Sequence, residues 1–119
     1  MMDLRQIYER LWVTGQLRPE DLAGLAARGF KAIICNRPDG EEAGQPSFAE
    51  VQAAARAAGI EARYIPVVPA GAGPEEVAAF AKAMADLPGP VLAYCRSGAR
   101  SAGLAAAIGH GNMPGTATG

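Results

Sequence analysis

Apolar residues fall in short blocks along this chain, separated by segments with a different rhythm. Leu11-Trp12-Val13 is a first apolar run, ended by Gly15-Gln16. Ala32-Ile33-Ile34-Cys35 is a second and unbroken one, the pattern of a strand covered on both faces. Ala62 to Val68 reads as a third, with Pro66 marking a bend or its end. Val91-Leu92-Ala93-Tyr94 is the fourth. Between these runs the spacing turns helical. Pro19 opens one helix, with Glu20 and Asp21 in the first turn where the macrodipole favours acids, and Gly29 ends it. Ser47 and Glu50 form a capping box that starts a second helix through about Ala58, with Gly59 beyond its end. Pro74-Glu75-Glu76 opens a third, whose stripe is Val77, Phe80, Met84 and Leu87. Ser101 to Ile108 reads as a fourth helix.

Strand and helix therefore alternate four times with short connections. The expected fold class is α/β: a three-layer arrangement with a mostly parallel central sheet and helices on both faces. In such sheets the ligand site lies beyond the carboxyl ends of the strands. Cys95, the segment Arg37 to Asp39 and the segment Val68 to Pro74 all follow strands, so they should share one rim. We read residues 1–108 as a single domain and the Gly-rich run 109–119 as a tail.

Composition narrows the classes. Half of the 119 residues are hydrophobic, enough for a real core, but only 6% are aromatic and alanine is abundant, so the core is expected to be thin and close-packed. The formal net charge is −1 and no Lys/Arg cluster tracks a polymer, which argues against a nucleic-acid partner. The first 25 residues hold no signal-peptide run and no segment approaches a membrane span, so we expect a cytoplasmic protein without a membrane partner. Two cysteines there are expected as free thiols. With one histidine, His110 in the Gly-rich run, a metal site or a Ser-His-acid triad is not expected, nor is any cofactor.

The chemistry concentrates in Cys95-Arg96-Ser97-Gly98-Ala99-Arg100-Ser101, directly after the fourth apolar run. A thiol at a strand end, a short loop turned by Gly98, then an arginine and a helix start make an anion cradle with a nucleophile at its floor. Backbone N–H groups and the helix dipole favour the thiolate, the reactive form. Cys95 and Arg100 are the expected catalytic pair, since a planar guanidinium grips an oxyanion through two bonds as lysine cannot. Arg96, Ser97, Gly98, Ala99 and Ser101 complete the anion-binding loop; Ser101 is either the helix N-cap or a hydroxyl partner of the thiolate. Cys35 reads as a small buried hydrophobe. Arg37 is either a second substrate contact or an ion-pair partner of Glu41 or Glu42. Asp39 reads as the aspartate of a Pro-Asp-Gly turn before it reads as a rim acid.

Cys-x-x-Gly-x-Arg-Ser after an apolar strand is similar to the active loops of rhodanese-type sulfurtransferases and of cysteine-dependent phosphatases. Trp12-Val13-Thr14-Gly15-Gln16, Gly29-Phe30-Lys31, Asn36-Arg37-Pro38-Asp39-Gly40-Glu41, Gly44-Gln45-Pro46-Ser47 and Gly89-Pro90-Val91-Leu92-Ala93-Tyr94-Cys95-Arg96 together resemble a bacterial family, the beta-lactamase-hydrolase-like phosphatase-like domain. That family is also described as small sulfurtransferases. The resemblance runs from about residue 8 to about residue 107. It implies a dual-specificity-phosphatase-like fold, in a domain that occurs alone or fused to a metallo-beta-lactamase-like, persulfide-handling enzyme, which is then its expected partner.

Two features bear on the reaction. Arg100 is five positions after Cys95, a Cys-x4-Arg loop tighter than the Cys-x5-Arg loop of the phosphatases. The segment Val68-Pro69-Ala70-Gly71-Ala72-Gly73 offers no acid to protonate a leaving oxygen. The sequence reading therefore favours a sulfurtransferase that carries sulfane sulfur from thiosulfate or a persulfide to a thiol through a Cys95 persulfide. The alternatives are a phosphatase acting on a phosphoester through phospho-cysteine, and a non-catalytic module that binds an anion or persulfide.

Overall fold

The structure, a computed structural model, describes residues 2–109. Of the expected Gly-rich tail, all but Gly109 lies outside the described residues. Five strands form one sheet: β1 (Arg5–Tyr8), β2 (Leu11–Thr14), β3 (Ala32–Cys35), β4 (Glu61–Tyr64) and β5 (Val91–Tyr94), in the order β1-β2-β5-β3-β4. All neighbouring pairs are parallel except β1 with β2. The helices are α1 (Leu22–Ala27), entered through a 3-10 turn at Pro19–Asp21, α2 (Phe48–Ala57), α3 (Pro74–Asp86) and α4 (Ala99–Ile108).

Alternation along the central strands splits the core in two. Leu11, Val13, Ala32, Ile34, Val91 and Ala93 point to one face and pack with Phe80 and Met84 of α3 and Leu104 and Ile108 of α4. Ile33, Cys35, Leu92 and Tyr94 point to the other and pack with Leu22 and Leu25 of α1 and Val51 and Ala55 of α2. Every residue of β3 and β5 is buried, as their unbroken apolar runs require. The three-layer α/β expectation holds. Among the described residues, no helix is long and apolar enough to cross a membrane.

Three boundaries depart from the sequence reading. β1 was not expected: its residues Arg5-Gln6-Ile7-Tyr8 carry only Ile7 and Tyr8 toward the core, a pattern too weak to stand out. β4 ends at Tyr64, not Val68, although Ile65 and Val67 still donate backbone bonds to Cys35 and Asn36 of the neighbouring strand end (2.9 Å each). Pro66, with no N–H, breaks the ladder between them. α4 begins at Ala99, not Ser101. Gly98 takes φ +94°, open to glycine, and turns the chain into the helix two residues sooner.

Candidate active site

The rim beyond β2, β3 and β5 is sewn together through backbone groups. Asn36 N–H donates to the Tyr94 carbonyl (2.7 Å), Cys95 N–H to that of Thr14 (3.4 Å) and Gln16 N–H to that of Arg96 (3.3 Å). Gly15 permits the last contact, because a Cβ there would stand 2.9 Å from the Arg96 carbonyl oxygen. The segments after β2, β3 and β5 thus meet at the thiol loop, as the topology predicts.

Cys95 is 1% exposed and its sulfur lies at the N-terminus of α4. Gly98 N–H donates to it at 3.1 Å. Burial opposes ionisation of this thiol, but bonds from the amides of Ser101, Ser97, Arg100 and Gly98 outweigh it and hold the pKa below the ordinary 9.0. The Ala99 N–H turns instead to the Ser97 hydroxyl (3.4 Å). Ser101 is neither an N-cap nor a hydroxyl donor to sulfur. It lies in the first turn of α4, and its Oγ donates to Asn36 Oδ1 at 2.8 Å while Asn36 Nδ2 donates to the Ile65 carbonyl at 2.8 Å. Asn36 is fully buried and ties β3, β4 and α4 under the loop.

Arg100 leaves α4 toward the rim with its side chain 12% exposed. Its Nη1 donates to the Val67 carbonyl (2.8 Å) and to Glu41 Oε2 (2.7 Å), and its Nη2 to Glu41 Oε1 (3.0 Å). Glu41 first, and then the charge of Cys95, favour the charged form of the Arg100 guanidinium. Arg37 is engaged at all three nitrogens: its guanidinium donates to Glu41 (2.9 Å), Glu42 (3.1 Å) and Gln16 (3.0 Å) and is 3% exposed. Of its two sequence readings, the structure shows the ion pair, and with both glutamates. Arg96 is exposed and, with Arg37, Glu41 and Arg100, lines a cleft of about 490 Å³ at the rim beside the loop. Asp39 holds the start of α2, its Oδ1 accepting from Phe48 N–H (2.8 Å), in keeping with its reading as a turn residue. Cys35 is 2% exposed, donates its thiol to the Arg37 carbonyl (3.3 Å), and has its pKa raised by burial.

Glu41 is the residue that sequence reasoning used only as a possible ion-pair partner. The paired guanidinium of Arg100, reinforced by Arg37, holds its carboxyl well below the ordinary 4.5, at about 2. This carboxylate occupies the same two-bond fork of Arg100 that an oxyanion substrate needs. An arriving oxyanion must take Arg100 from it. The pair is partly exposed, so its net strength is of the order of 1 kcal/mol. Glu41→Gln is therefore expected to tighten the binding of an inorganic oxyanion such as sulfate about 3- to 10-fold. Titration calorimetry at neutral pH checks this, and an unchanged affinity would mean that Glu41 does not compete for the fork.

The family profile of the beta-lactamase hydrolase-like protein, phosphatase-like domain, matches residues 3–111. A beta-lactamase hydrolase-like protein of Agrobacterium fabrum is 44% identical over 96 residues, which is 81% of this chain. The chain spans only 22–23% of the length of the curated relatives it matches. Among solved structures, a "putative phosphatase" from Neisseria meningitidis is 37% identical with a TM-score of 0.79, covering 84% of this chain and 71% of that one. The core catalytic domain of a PP-IP phosphatase from S. cerevisiae shares the fold at a TM-score of 0.62 and 14% identity, over 80% of this chain and 56% of that one. The fold is thus that of the cysteine-phosphatase-like proteins, and the chain belongs to the phosphatase-like domain family of the beta-lactamase hydrolase-like proteins.

Proposed function

We propose that this domain is a cysteine-based phosphatase that works through a phospho-cysteine intermediate. The observation that carries the reading is the Cys95 sulfur at the N-terminus of α4, accepting from Gly98 N–H and favoured as thiolate by four loop amides, with Arg100 lining the cleft on the same loop. The Cys95 thiolate attacks phosphorus, an S–P bond forms, and the P–O bond breaks with its electron pair leaving on the departing oxygen. Water then attacks the same phosphorus. The P–S bond breaks, the thiolate returns, and orthophosphate and a proton leave. The loop amides and Arg100 hold the equatorial oxygens through both steps.

The segment after β4 carries no acid, and Glu41 is deprotonated throughout the neutral range. The leaving group must then depart with little proton assistance. This favours aryl phosphates such as phosphotyrosine, or phosphoanhydrides, over alkyl phosphates. The "putative phosphatase" of Neisseria, at 37% identity, supports the same reading.

A second reading, sulfur transfer, is favoured by the six-residue Cys95–Arg100 loop and by the same missing acid. There the thiolate takes the outer sulfur of thiosulfate, the S–S bond breaks, sulfite leaves, and a thiol acceptor regenerates Cys95. One experiment separates the two. The protein is denatured rapidly during turnover, with either an aryl phosphate or thiosulfate, and the Cys95 peptide is weighed. The expected result is a phosphoryl adduct and sustained aryl-phosphate turnover. A persulfide from thiosulfate, with no phosphoryl adduct, would overturn the phosphatase reading.

A further inference from the structure

A second cleft among the described residues is wider than the one at Arg100. It lies on the other side of the thiol loop, holds about 800 Å³, and is lined by Arg5, Arg18 and Arg28 together with Asp3, Asp21 and Ser97. These arginines come from three separate segments: β1, the start of the 3-10 turn, and the end of α1. All three are exposed, and among the described residues none has a carboxylate within 4.0 Å. Arg37 and Arg100, by contrast, are satisfied by Glu41 and Glu42. Of the two acids in the cleft, Asp21 is engaged in accepting the Arg18 amide (2.8 Å). Three guanidiniums brought together without acid partners repel one another, and a bound anion relieves that repulsion.

The cleft adjoins the thiol loop directly. Arg5 Nη2 lies 3.4 Å from where a Cβ on Gly98 would stand, so its guanidinium rests on the loop. From there the cationic track continues. Gln16 and Arg18 also line a smaller depression shared with Arg96 and Arg37, and those two border the cleft at Arg100. In the wide cleft Arg5, Arg18 and Arg28 outnumber Asp3 and Asp21, and the exposed Arg96 extends the positive charge along the loop. That local excess of positive charge attracts anions to the site.

We propose that this cleft is a second anion subsite, and that the substrate is a small molecule with at least two anionic groups. One occupies the thiol loop and another lies among Arg5, Arg18 and Arg28. The assignment deepens the phosphatase reading and rests on it for the first group; the chemistry of the second is phosphate-like or carboxylate-like.

The test uses the Cys95→Ser chain, which cannot turn over, and titration calorimetry at constant ionic strength with orthophosphate and with tripolyphosphate. Each charge-assisted contact made only by the longer anion adds to its affinity, so tripolyphosphate is expected to bind about 10-fold or more tightly than orthophosphate. Adding Arg5→Gln and Arg28→Gln is expected to cut that ratio to within about 2-fold of one. Arg28→Gln alone, at an exposed helix end, reduces the ratio in part and guards against a folding defect in the pair. Equal affinity for the two anions, or a preference that survives both substitutions, would overturn the subsite. Tripolyphosphate binding that depends on Arg5 and Arg28, with no orthophosphate binding at all, would keep the subsite and remove the phosphatase reading. Acetate and succinate, run as a second pair, tell a carboxylate source from a phosphate one.

Discussion

Cys95→Ser is expected to lower kcat on an aryl phosphate by about 10³-fold or more, while orthophosphate affinity holds or rises. The loop amides remain in place, because their positions are set by Gly98 at φ +94° and by the buried Asn36–Ser101 bond, not by sulfur. The hydroxyl stays protonated, so the nucleophile is lost and the anion site is freed of a negative charge. The pH dependence follows from the same geometry. The thiolate is the active form and its pKa lies below 9.0. Activity should therefore hold as pH falls through 9.0 and decline only on passing the lower, folded-state value. An acid limb centred near 9.0 would mean that the amides do not activate the thiol. Iodoacetamide labelling against pH gives an independent reading. Cys35, buried and raised, should stay unlabelled in the native protein.

The parts of this molecule that were legible in its sequence are those where one local force decides. Val91-Leu92-Ala93-Tyr94 is buried on both sides and reads as a strand in any context. The Ser47–Glu50 capping box forms as expected, with Glu50 N–H donating to Ser47 Oγ at 3.1 Å and Ser47 N–H to Glu50 Oε1 at 2.8 Å. The thiol loop was legible because nucleophile, glycine and arginine are contiguous. What escaped depends on partners distant in sequence. β1 is a strand because it pairs with β2, with Arg5 opposite Val13, and its own residues scarcely prefer that state. Ser101 looks like an N-cap until Gly98 starts the helix early and Asn36 claims its hydroxyl. Glu41 lies 59 positions before Arg100, and only the parallel pairing of β3 with β5, which puts their following loops on one rim, brings them together. The same holds for Arg5, Arg18 and Arg28, which look scattered in sequence and converge in space.

These long-range contacts bear on the size of the anion rather than on the choice of reaction. A thiolate on a bed of amides is common to sulfur and phosphoryl transfer, so the cradle alone does not discriminate. One compact dianion, thiosulfate or an aryl phosphate alike, needs only the loop and Arg100. Arg5, Arg18 and Arg28, without acid partners among the described residues, are surplus to it. The substrate with two anionic groups proposed above would engage them.

Arg100→Lys is expected to lower kcat/KM on an aryl phosphate by about 10²- to 10³-fold. The side chain has two simultaneous tasks. One Nη1 hydrogen keeps the Val67 carbonyl satisfied at 2.8 Å, which fixes the guanidinium over the rim. The remaining Nη1 and Nη2 hydrogens form the fork now filled by Glu41 at 2.7 and 3.0 Å. A lysine ammonium can meet the carbonyl or one oxygen of the anion, but it cannot present a planar fork to two oxygens while holding its anchor. The charge is conserved, so a deficit measures geometry. Arg96→Lys is the matched control: Arg96 is exposed on the same loop and borders the same cleft. It is expected to change kcat/KM by less than about 3-fold, within the range of an exposed charge. Circular dichroism should show both variants folded, since the Arg100–Glu41 pair is partly exposed and contributes little to stability. If the two substitutions cost the same, the fork of Arg100 is not what binds the reacting group, and the oxyanion is held by the loop amides alone.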